Sequence, residues 1–168
     1  MKFAIVYFSE TGRTEAMAHE IEAGIRRGCA DAQVDLIPIS TYRDHFAANK
    51  QILEAADGVI VGTPVYGATV AWQVKCWLDT CGVKLGGKLG GAFATANFIQ
   101  GGCETALEHT LMQMLVKGML LYSGGAACGK PYIHLGPVCI GPEKQGQELF
   151  PLFGERFAQQ AARIFGKA

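Results

Sequence analysis

The sequence lacks an excess of charge of either sign. Its 15 Lys and Arg residues balance 15 Asp and Glu residues, so the formal net charge is zero. Proteins that bind nucleic acids or anionic membranes usually present a basic stripe, and none is visible here. No apolar run approaches the roughly 20 residues that a membrane-spanning helix needs. We therefore expect no nucleic-acid or membrane partner. We also expect a cytoplasmic location, because no export-type cleavage site follows the first apolar run.

Closely spaced metal ligands are also missing. The six cysteines form no CxxC pair; they are Cys29, Cys76, Cys81, Cys103, Cys128 and Cys139. Zinc and iron–sulfur sites normally need such closely spaced ligands. We therefore predict no metal and cysteines that stay reduced and act mostly as small apolar residues.

Glycine is abundant, with 22 residues in a chain of 168. That is nearly twice the usual share of about 7%, and it indicates loops that turn tightly or approach a ligand closely. Hydrophobic residues make up 49% and charged residues 18% of the chain. The composition is typical of a globular protein, and the length predicts a single domain over residues 1–168.

Strand-like apolar runs alternate with helical periodicities from end to end. The predicted strands are Phe3–Phe8, Val34–Ile39, Gly58–Gly62, Gly91–Ala96 and Met119–Tyr122. A helical pattern follows each of them, the last one carrying Leu149, Phe153 and Phe157. Parallel neighbours need crossover connections, so this alternation predicts an α/β fold, a doubly wound three-layer sandwich with a five-stranded parallel sheet. For five strands we expect the order 2-1-3-4-5, with a ligand beyond the carboxyl ends of strands 1 and 3.

The segment after strand 1 is the first candidate site. It consists of Ser9, Glu10, Thr11, Gly12, Arg13 and Thr14. A helix begins there, and its unpaired N–H groups favour an anion. A simple N-cap needs one hydroxyl, whereas this segment has three, so phosphate binding is favoured over an empty cap. Arg13 either pairs with that phosphate or points to solvent.

Other phosphate-handling motifs are absent from this segment. GxxxxGK[ST] and GxGxxG are missing, which argues against a nucleoside-triphosphate P-loop and a dinucleotide fingerprint. Without a cysteine in the segment, thiol-based phosphate hydrolysis is excluded. The segment therefore predicts a phosphate that is held and not cleaved.

Two further segments should meet the first at the same sheet edge. After strand 3 come Pro64, Val65, Tyr66 and Gly67, and at the end of strand 4 come Thr95, Ala96, Asn97, Phe98, Gly101 and Gly102. Tyr66 either covers a flat ligand or simply caps the sheet edge. Cys103 follows at a predicted helix start, where a lowered pKa is conceivable, but we assign it no catalytic role.

These segments carry a family resemblance. S-E-T-G-R-T resembles the phosphate loop of flavodoxin-like FMN proteins. G-T-P-V-Y-G resembles the G-T-P-x-[YF]-G motif of WrbA-type NAD(P)H:quinone oxidoreductases and related NADPH-dependent FMN reductases. G-G-C-E-T-A-L, which begins residues 101–119, is similar to that family's G-G-x-E-T-T-L…G-M segment. Flavodoxin is itself the standard example of the 2-1-3-4-5 order, so the order and the resemblance are not independent.

The resemblance implies an FMN-binding oxidoreductase with a flavodoxin-like fold. Residues 9–14 would hold the FMN phosphate, residues 64–67 would line the isoalloxazine, and residues 95–102 would contact its polar edge and the ribityl chain. The flavin N5 carries the chemistry, so no catalytic side chain is expected. NADPH or NADH would be the electron donor, a quinone or other small molecule the acceptor, and the assembly a homodimer or higher homo-oligomer.

The sequence departs from the family pattern in places. Val116 and Lys117 stand where quinone-reducing members have a His-His pair, and Gly82–Gly90 is short and lacks a tryptophan. One alternative is a flavodoxin-type electron carrier that docks to a redox partner protein. The zero net charge and the absence of an acid in residues 95–102 favour the reductase over it. The other alternative is a fold relative that binds no flavin. The sequence does not distinguish NADH from NADPH.

Overall fold

Strands and helices alternate along the chain as expected. The computed structural model describes residues 1–40 and 48–166. Within these ranges its elements are β1 (Lys2–Tyr7), α1 (Arg13–Gly28), β2 (Gln33–Pro38), α2 (Lys50–Ala55), β3 (Gly58–Tyr66), β4 (Thr69–Val70), α3 (Trp72–Thr80), β5 (Leu89–Ala96), α4 (Cys103–Val116), β6 (Leu120–Leu121), β7 (Val138–Ile140) and α5 (Leu149–Phe165).

The sheet has the predicted order. It runs β2-β1-β3-β5-β6, and all the neighbours on this path are parallel. This corresponds to the predicted 2-1-3-4-5 arrangement. The expected strand number was wrong, because the described sheet has seven strands and not five. The additional strands are β4, which pairs with β3, and β7, which pairs with β5.

The third strand is longer than its apolar run indicates. It continues past Gly62 to Tyr66 and then turns back into β4, which pairs antiparallel with it. Both residues of the turn, Gly67 (φ 56°) and Ala68 (φ 62°), are left-handed. Two successive left-handed residues form the tight turn whose twist matches a hairpin. Residues 64–66, expected in a loop, therefore belong to the strand.

Two short strands, β6 and β7, pair with β5 where the fifth predicted strand was expected. Leu120 and Leu121 in β6 pair with the start of β5, whereas Val138–Ile140 in β7 pairs with its end. Residues 122–137 leave the sheet in between, since Gly124 and Gly125 adopt left-handed conformations directly after the apolar run. Four carbonyl groups of this inserted segment accept hydrogen bonds from the guanidinium of Arg156 on α5 at 3.1–3.4 Å.

The core lies on both faces of the sheet because successive strand residues point to opposite sides. Phe3, Ile5 and Tyr7 of β1 pack with α1 and α5, whereas Ala4 and Val6 pack with α2, α3 and α4. This produces the expected three layers. The carboxyl ends of β1, β3 and β5 then lie at one edge, where α1 and α4 begin.

Candidate functional site

The first candidate segment forms the start of α1. Gly12 is left-handed (φ 86°), and its carbonyl accepts the first helical hydrogen bond from the amide of Ala16 at 2.9 Å. The Ser9 hydroxyl accepts a hydrogen bond from the amide of Glu15 at 3.3 Å. The N–H groups at the very start of a helix have no partner inside it. The segment therefore presents backbone donors and hydroxyl groups at the positive end of a helix.

The three candidate segments meet around one cavity of about 250 Å³. Ten of the predicted site residues line it: Glu10, Thr11, Arg13, Thr14, Pro64, Val65, Tyr66, Thr95, Ala96 and Asn97. The other predicted residues do not line this cavity; they are Ser9, Gly12, Gly67, Phe98, Gly101 and Gly102. No cavity-lining residue in the described part of the chain comes from outside the three segments.

Side-chain hydrogen bonds join the segments across the cavity. The Tyr66 hydroxyl donates to Oε2 of Glu10 at 2.8 Å, which links the second segment to the first. The hydroxyls of Thr14 and Thr95 lie 2.9 Å apart and are buried, linking the first segment to the third. The cavity walls are therefore held together by side chains of the same residues that line it.

Arg13 makes a second link between the first and third segments. Its Nη1 donates to the carbonyl oxygen of Ala96 at 3.0 Å and to Oδ1 of Asn97 at 2.8 Å. The sequence left two roles open for this side chain, a phosphate partner and a solvent-exposed residue. The structure places the guanidinium on the third segment, so Arg13 is not simply solvent-exposed.

Tyr66 keeps its proton at neutral pH. Burial, the hydrogen bond to Glu10 and the negative charge of that carboxylate together raise the pKa of Tyr66 to about 12. The phenol therefore remains a hydrogen-bond donor to the carboxylate of Glu10. The ring is 39% exposed, so it is accessible from the mouth of the cavity.

The hairpin that carries Tyr66 is supported by Thr63, which sequence reasoning did not select. Its buried hydroxyl donates to the carbonyl of Pro64 at 2.7 Å and accepts from the amide of Ala71 at 3.0 Å. Nothing in the sequence distinguishes this threonine from a threonine within an ordinary strand. Its role appears only when β4 folds back beside β3.

A close approach of two backbones joins the second and third segments. Gly102 is left-handed (φ 93°), and a Cβ atom there would overlap the carbonyl group of Ala68. Glycine is therefore required at Gly102 for both its conformation and its lack of a side chain. The predicted glycine thus shapes the site without lining the cavity.

Cys103, at the start of α4, has a buried thiol. Burial is the main cause that raises its pKa to about 11, and the charges of Glu104 and Cys139 act in the same direction. Burial therefore outweighs any lowering of this pKa by the helix terminus, in keeping with the absence of a catalytic role for Cys103. A thiol of this kind stays protonated at neutral pH and is a poor nucleophile.

In residues 1–40 and 48–166, no group of three or more His, Cys, Asp or Glu side chains could hold a metal ion. No helix in the same ranges is long and apolar enough to cross a membrane.

The residues around the cavity fit the FMN that the resemblance implies. One end offers the hydroxyls and helix amides of Thr11 to Thr14, which suit a phosphate. The wall made by Pro64, Val65 and Tyr66 suits a flat ring, and the amide and hydroxyl groups of Thr95 to Asn97 suit its polar edge. The carboxylate of Glu10 is the one group of unfavourable sign, and Tyr66 holds it.

Comparisons with known proteins agree with this assignment. The model of a family described as NADPH-dependent FMN reductase matches residues 1–129. A flavodoxin from Clostridium saccharobutylicum is 42% identical over 167 residues, which cover 98% of this chain and 100% of that protein. An NAD(P)H dehydrogenase (quinone) from Chromohalobacter salexigens is 28% identical, with 98% of this chain and 99% of that protein covered.

A solved structure supports the fold. The WrbA-like flavodoxin from Agrobacterium tumefaciens superposes with a TM-score of 0.77 at 24% identity, covering 96% of this chain and 98% of that one. At this identity the likeness concerns the fold alone. It confirms the predicted flavodoxin-like architecture.

Proposed function

Because the chain belongs to the NADPH-dependent FMN reductase family, we propose that it takes hydride from NADPH or NADH and reduces a small quinone-like acceptor. Membership of this family confirms the predicted resemblance, FMN as the cofactor, and an NAD(P)H-linked flavoprotein oxidoreductase as the class of protein. The proposal adds the acceptor and the roles of individual residues. One observation carries those roles: three segments far apart in sequence converge on one cavity at the start of α1.

Residues 9–14 hold the phosphate of FMN in this proposal. The amides at the start of α1 and the hydroxyl of Thr11 donate to its oxygens, while the hydroxyl of Ser9 positions the first turn through the amide of Glu15. Thr14 contributes indirectly, because its hydroxyl is engaged by Thr95. Directed hydrogen bonds do most of the holding, since the helix dipole alone contributes only about 0.3–1 kcal/mol.

The second and third segments orient the ring system. In this proposal Pro64, Val65 and Tyr66 would line one side of the isoalloxazine, and Thr95, Ala96 and Asn97 would contact its polar edge and the ribityl chain. Gly67, Phe98, Gly101 and Gly102 would shape the loops that carry these residues. Bound FMN would supply the hydride-transfer chemistry of its N5 atom, so the contribution of the protein is position and electrostatics. Hydrogen bonds of Tyr66 and Arg13 tie the second and third segments to the first.

The experiment that tests this assignment compares FMN with riboflavin, which lacks the phosphate. The protein is freed of flavin, and both affinities are measured by fluorescence quenching for the wild type and for Thr11→Val. We expect the variant to bind FMN more weakly than the wild type does and to bind riboflavin with nearly the same affinity. Equal losses for both flavins, or no binding of FMN by the wild type, would overturn the phosphate assignment.

Activity is tested by anaerobic titration of the FMN-loaded protein with NADPH and, separately, NADH. Rapid bleaching in one two-electron step supports the reductase and identifies its donor. Reoxidation by menadione, followed at the flavin absorbance maximum, then tests a quinone as acceptor. Failure of menadione to reoxidise a rapidly reduced protein would remove the quinone from the proposal and leave the reductase.

An electron carrier is the second candidate, and the 42% identity to a protein named flavodoxin favours it. Its distinguishing result is tight FMN binding with no appreciable bleaching by either nicotinamide. The zero formal net charge argues against it, since an acidic surface suits docking to basic redox partners.

We further propose that residues 1–168 form a single FMN-binding domain that acts in the cytoplasm as a homodimer or higher homo-oligomer. The end of α4 and β6 supports self-association, since it exposes Met112 (58%), Leu115 (51%), Val116 (86%), Leu120 (48%) and Leu121 (37%). Sedimentation velocity over a range of concentrations measures this. A single species at the monomer mass throughout would refute it.

A further inference from the structure

A second cavity, of about 360 Å³, lies between α5 and the inserted segment 122–137. The side chains that matter in its wall are Tyr122, Cys128, Arg156, Gln159, Gln160 and Arg163. Apart from Ala127 and Cys128 the lining residues are polar or charged, and in the described part of the chain none of them is acidic. A cavity of this size is within the range of small-molecule sites.

The second cavity is separate from the flavin site. Tyr122 directly follows β6, whose Leu121 pairs with Gly90 near the start of β5. The flavin cavity lies at Ala96, at the other end of the same strand. At about 3.3 Å per residue the six-residue difference corresponds to about 20 Å along β5.

Two uncompensated positive charges face the second cavity. Among the described residues no carboxylate pairs with Arg156 or Arg163; the nearby Glu155 pairs instead with Arg27 at 3.7 Å. The guanidinium of Arg156 is fixed by the carbonyls of Gly124, Cys128, Gly129 and Pro131, so its charge is held in place. Arg163 lies seven residues further along α5, on the same face of the helix.

Neutral donors complete the wall. Tyr122 lies with its hydroxyl 3.7 Å from the Cys128 sulfur. Burial, reinforced by that contact, raises the pKa of Tyr122 to about 12, so the phenol keeps its proton for donation. Gln160 adds a side-chain amide, whereas the amide nitrogen of Gln159 donates to Oε1 of Glu155 at 3.4 Å. Guanidinium groups with neutral donors nearby are suited to binding carboxylates and phosphates.

We propose that this cavity is a second ligand site, which binds a small organic molecule carrying two negative charges, either a phosphate ester or a dicarboxylate. Arg163 is the recognition residue, because its guanidinium is exposed and is not engaged in holding the inserted segment. Arg156 supplies a fixed charge at the floor. The proposal is independent of the proposed function, since the site shares no residue with the flavin cavity.

Cys128 provides a reporter within the cavity itself. Iodoacetate and iodoacetamide alkylate thiols by the same reaction and are similar in size, but only iodoacetate is negatively charged. Their rate constants are measured on the FMN-loaded protein by peptide mass spectrometry, with Cys29 as an internal comparison. We expect the iodoacetate-to-iodoacetamide ratio at Cys128 to exceed that at Cys29 at least threefold. We also expect AMP or succinate to slow alkylation of Cys128 in a saturable way, with KCl at equal ionic strength as the salt control.

Variants connect the effect to the arginines. Arg163→Gln should reduce the charge preference at Cys128 at least threefold and weaken protection by the same ligands. Lys50→Gln is the control, because Lys50 is exposed on α2, is far in sequence from both cysteines and pairs with Glu54 at 3.7 Å. Protection by AMP alone supports the phosphate ester, and protection by succinate alone supports the dicarboxylate. The proposal would be overturned if the iodoacetate-to-iodoacetamide ratio were equal at Cys128 and Cys29 and neither AMP nor succinate protected Cys128 more than KCl does. It would also be overturned if Arg163→Gln gave the same ratio and the same protection as the wild type.

Discussion

Arg13 can act on flavin binding in two ways, and replacing it with glutamine separates them. In the structure its Nη1 donates to Ala96 and Asn97, so it ties the third segment to the start of α1. If this link shapes the cavity before the flavin binds, its loss should weaken the binding of every flavin that uses the cavity. If Arg13 instead pairs with the phosphate, only a phosphorylated flavin should be affected.

The expected size of the effect follows from the two hydrogen bonds. A hydrogen bond with one charged partner contributes about 1.5–3 kcal/mol when well shielded. The bond to Ala96 is partly buried and the bond to Asn97 is exposed. We therefore expect the pair to contribute about 1–2 kcal/mol in total. This corresponds to a loss of about 5- to 30-fold in affinity.

The assay is a pair of fluorescence titrations, with FMN and with riboflavin, on the flavin-free wild type and on Arg13→Gln. We expect both dissociation constants to rise by the same factor, and the midpoint of thermal unfolding of the flavin-free variant to fall by about 2–4 °C per kcal/mol lost. Arg26→Gln on the same helix is the control and should change neither affinity. A large loss for FMN with riboflavin unchanged would refute the linking role and assign Arg13 to the phosphate.

Three further predictions concern the fold around the site. Gly154→Ala should lower the free energy of unfolding in urea by about 1–3 kcal/mol, because the added Cβ would overlap the carbonyl of Ile21 where α5 crosses α1. The Tyr7 phenol, buried and bonded to Glu15, has its pKa raised from 10.0 to about 12, so its bond stabilises the fold fully below pH 10 and is lost as the pH rises through 12. The difference in unfolding free energy between wild type and Tyr7→Phe should therefore shrink from pH 10 upwards, and a constant difference would contradict this. Cys103, whose pKa is raised to about 11, should resist iodoacetamide at pH 8 in the folded protein and react on unfolding.

The parallel core of the fold was predictable because its central strands, β1 and β3, contain the continuous apolar runs Phe3–Phe8 and Gly58–Gly62. Strands covered by helices on both faces need such runs, and the Phe3–Phe8 run places residues on both faces of the sheet. The two missed strands, β4 and β7, are two and three residues long, too short for any periodicity. The pairing of β4 depends on a turn with left-handed residues, one of which is Ala68. Alanine gives no turn signal in a sequence.

The flavin cavity could be predicted from the sequence and the second cavity could not, for a physical reason. The flavin cavity is built from short contiguous segments at strand ends, and parallel strands bring such ends to one edge whatever the details of packing. Hydrogen bonds within it, such as that from Arg13 to Asn97, could be identified only in the folded structure, because in the sequence either side chain could equally face solvent. The second cavity joins one face of α5 to an irregular segment, and its arginines are seven residues apart on a helix whose other face is apolar. Charged residues at that spacing are typical of a solvent-exposed helix face. The cavity forms here because residues 122–137 fold over Arg156.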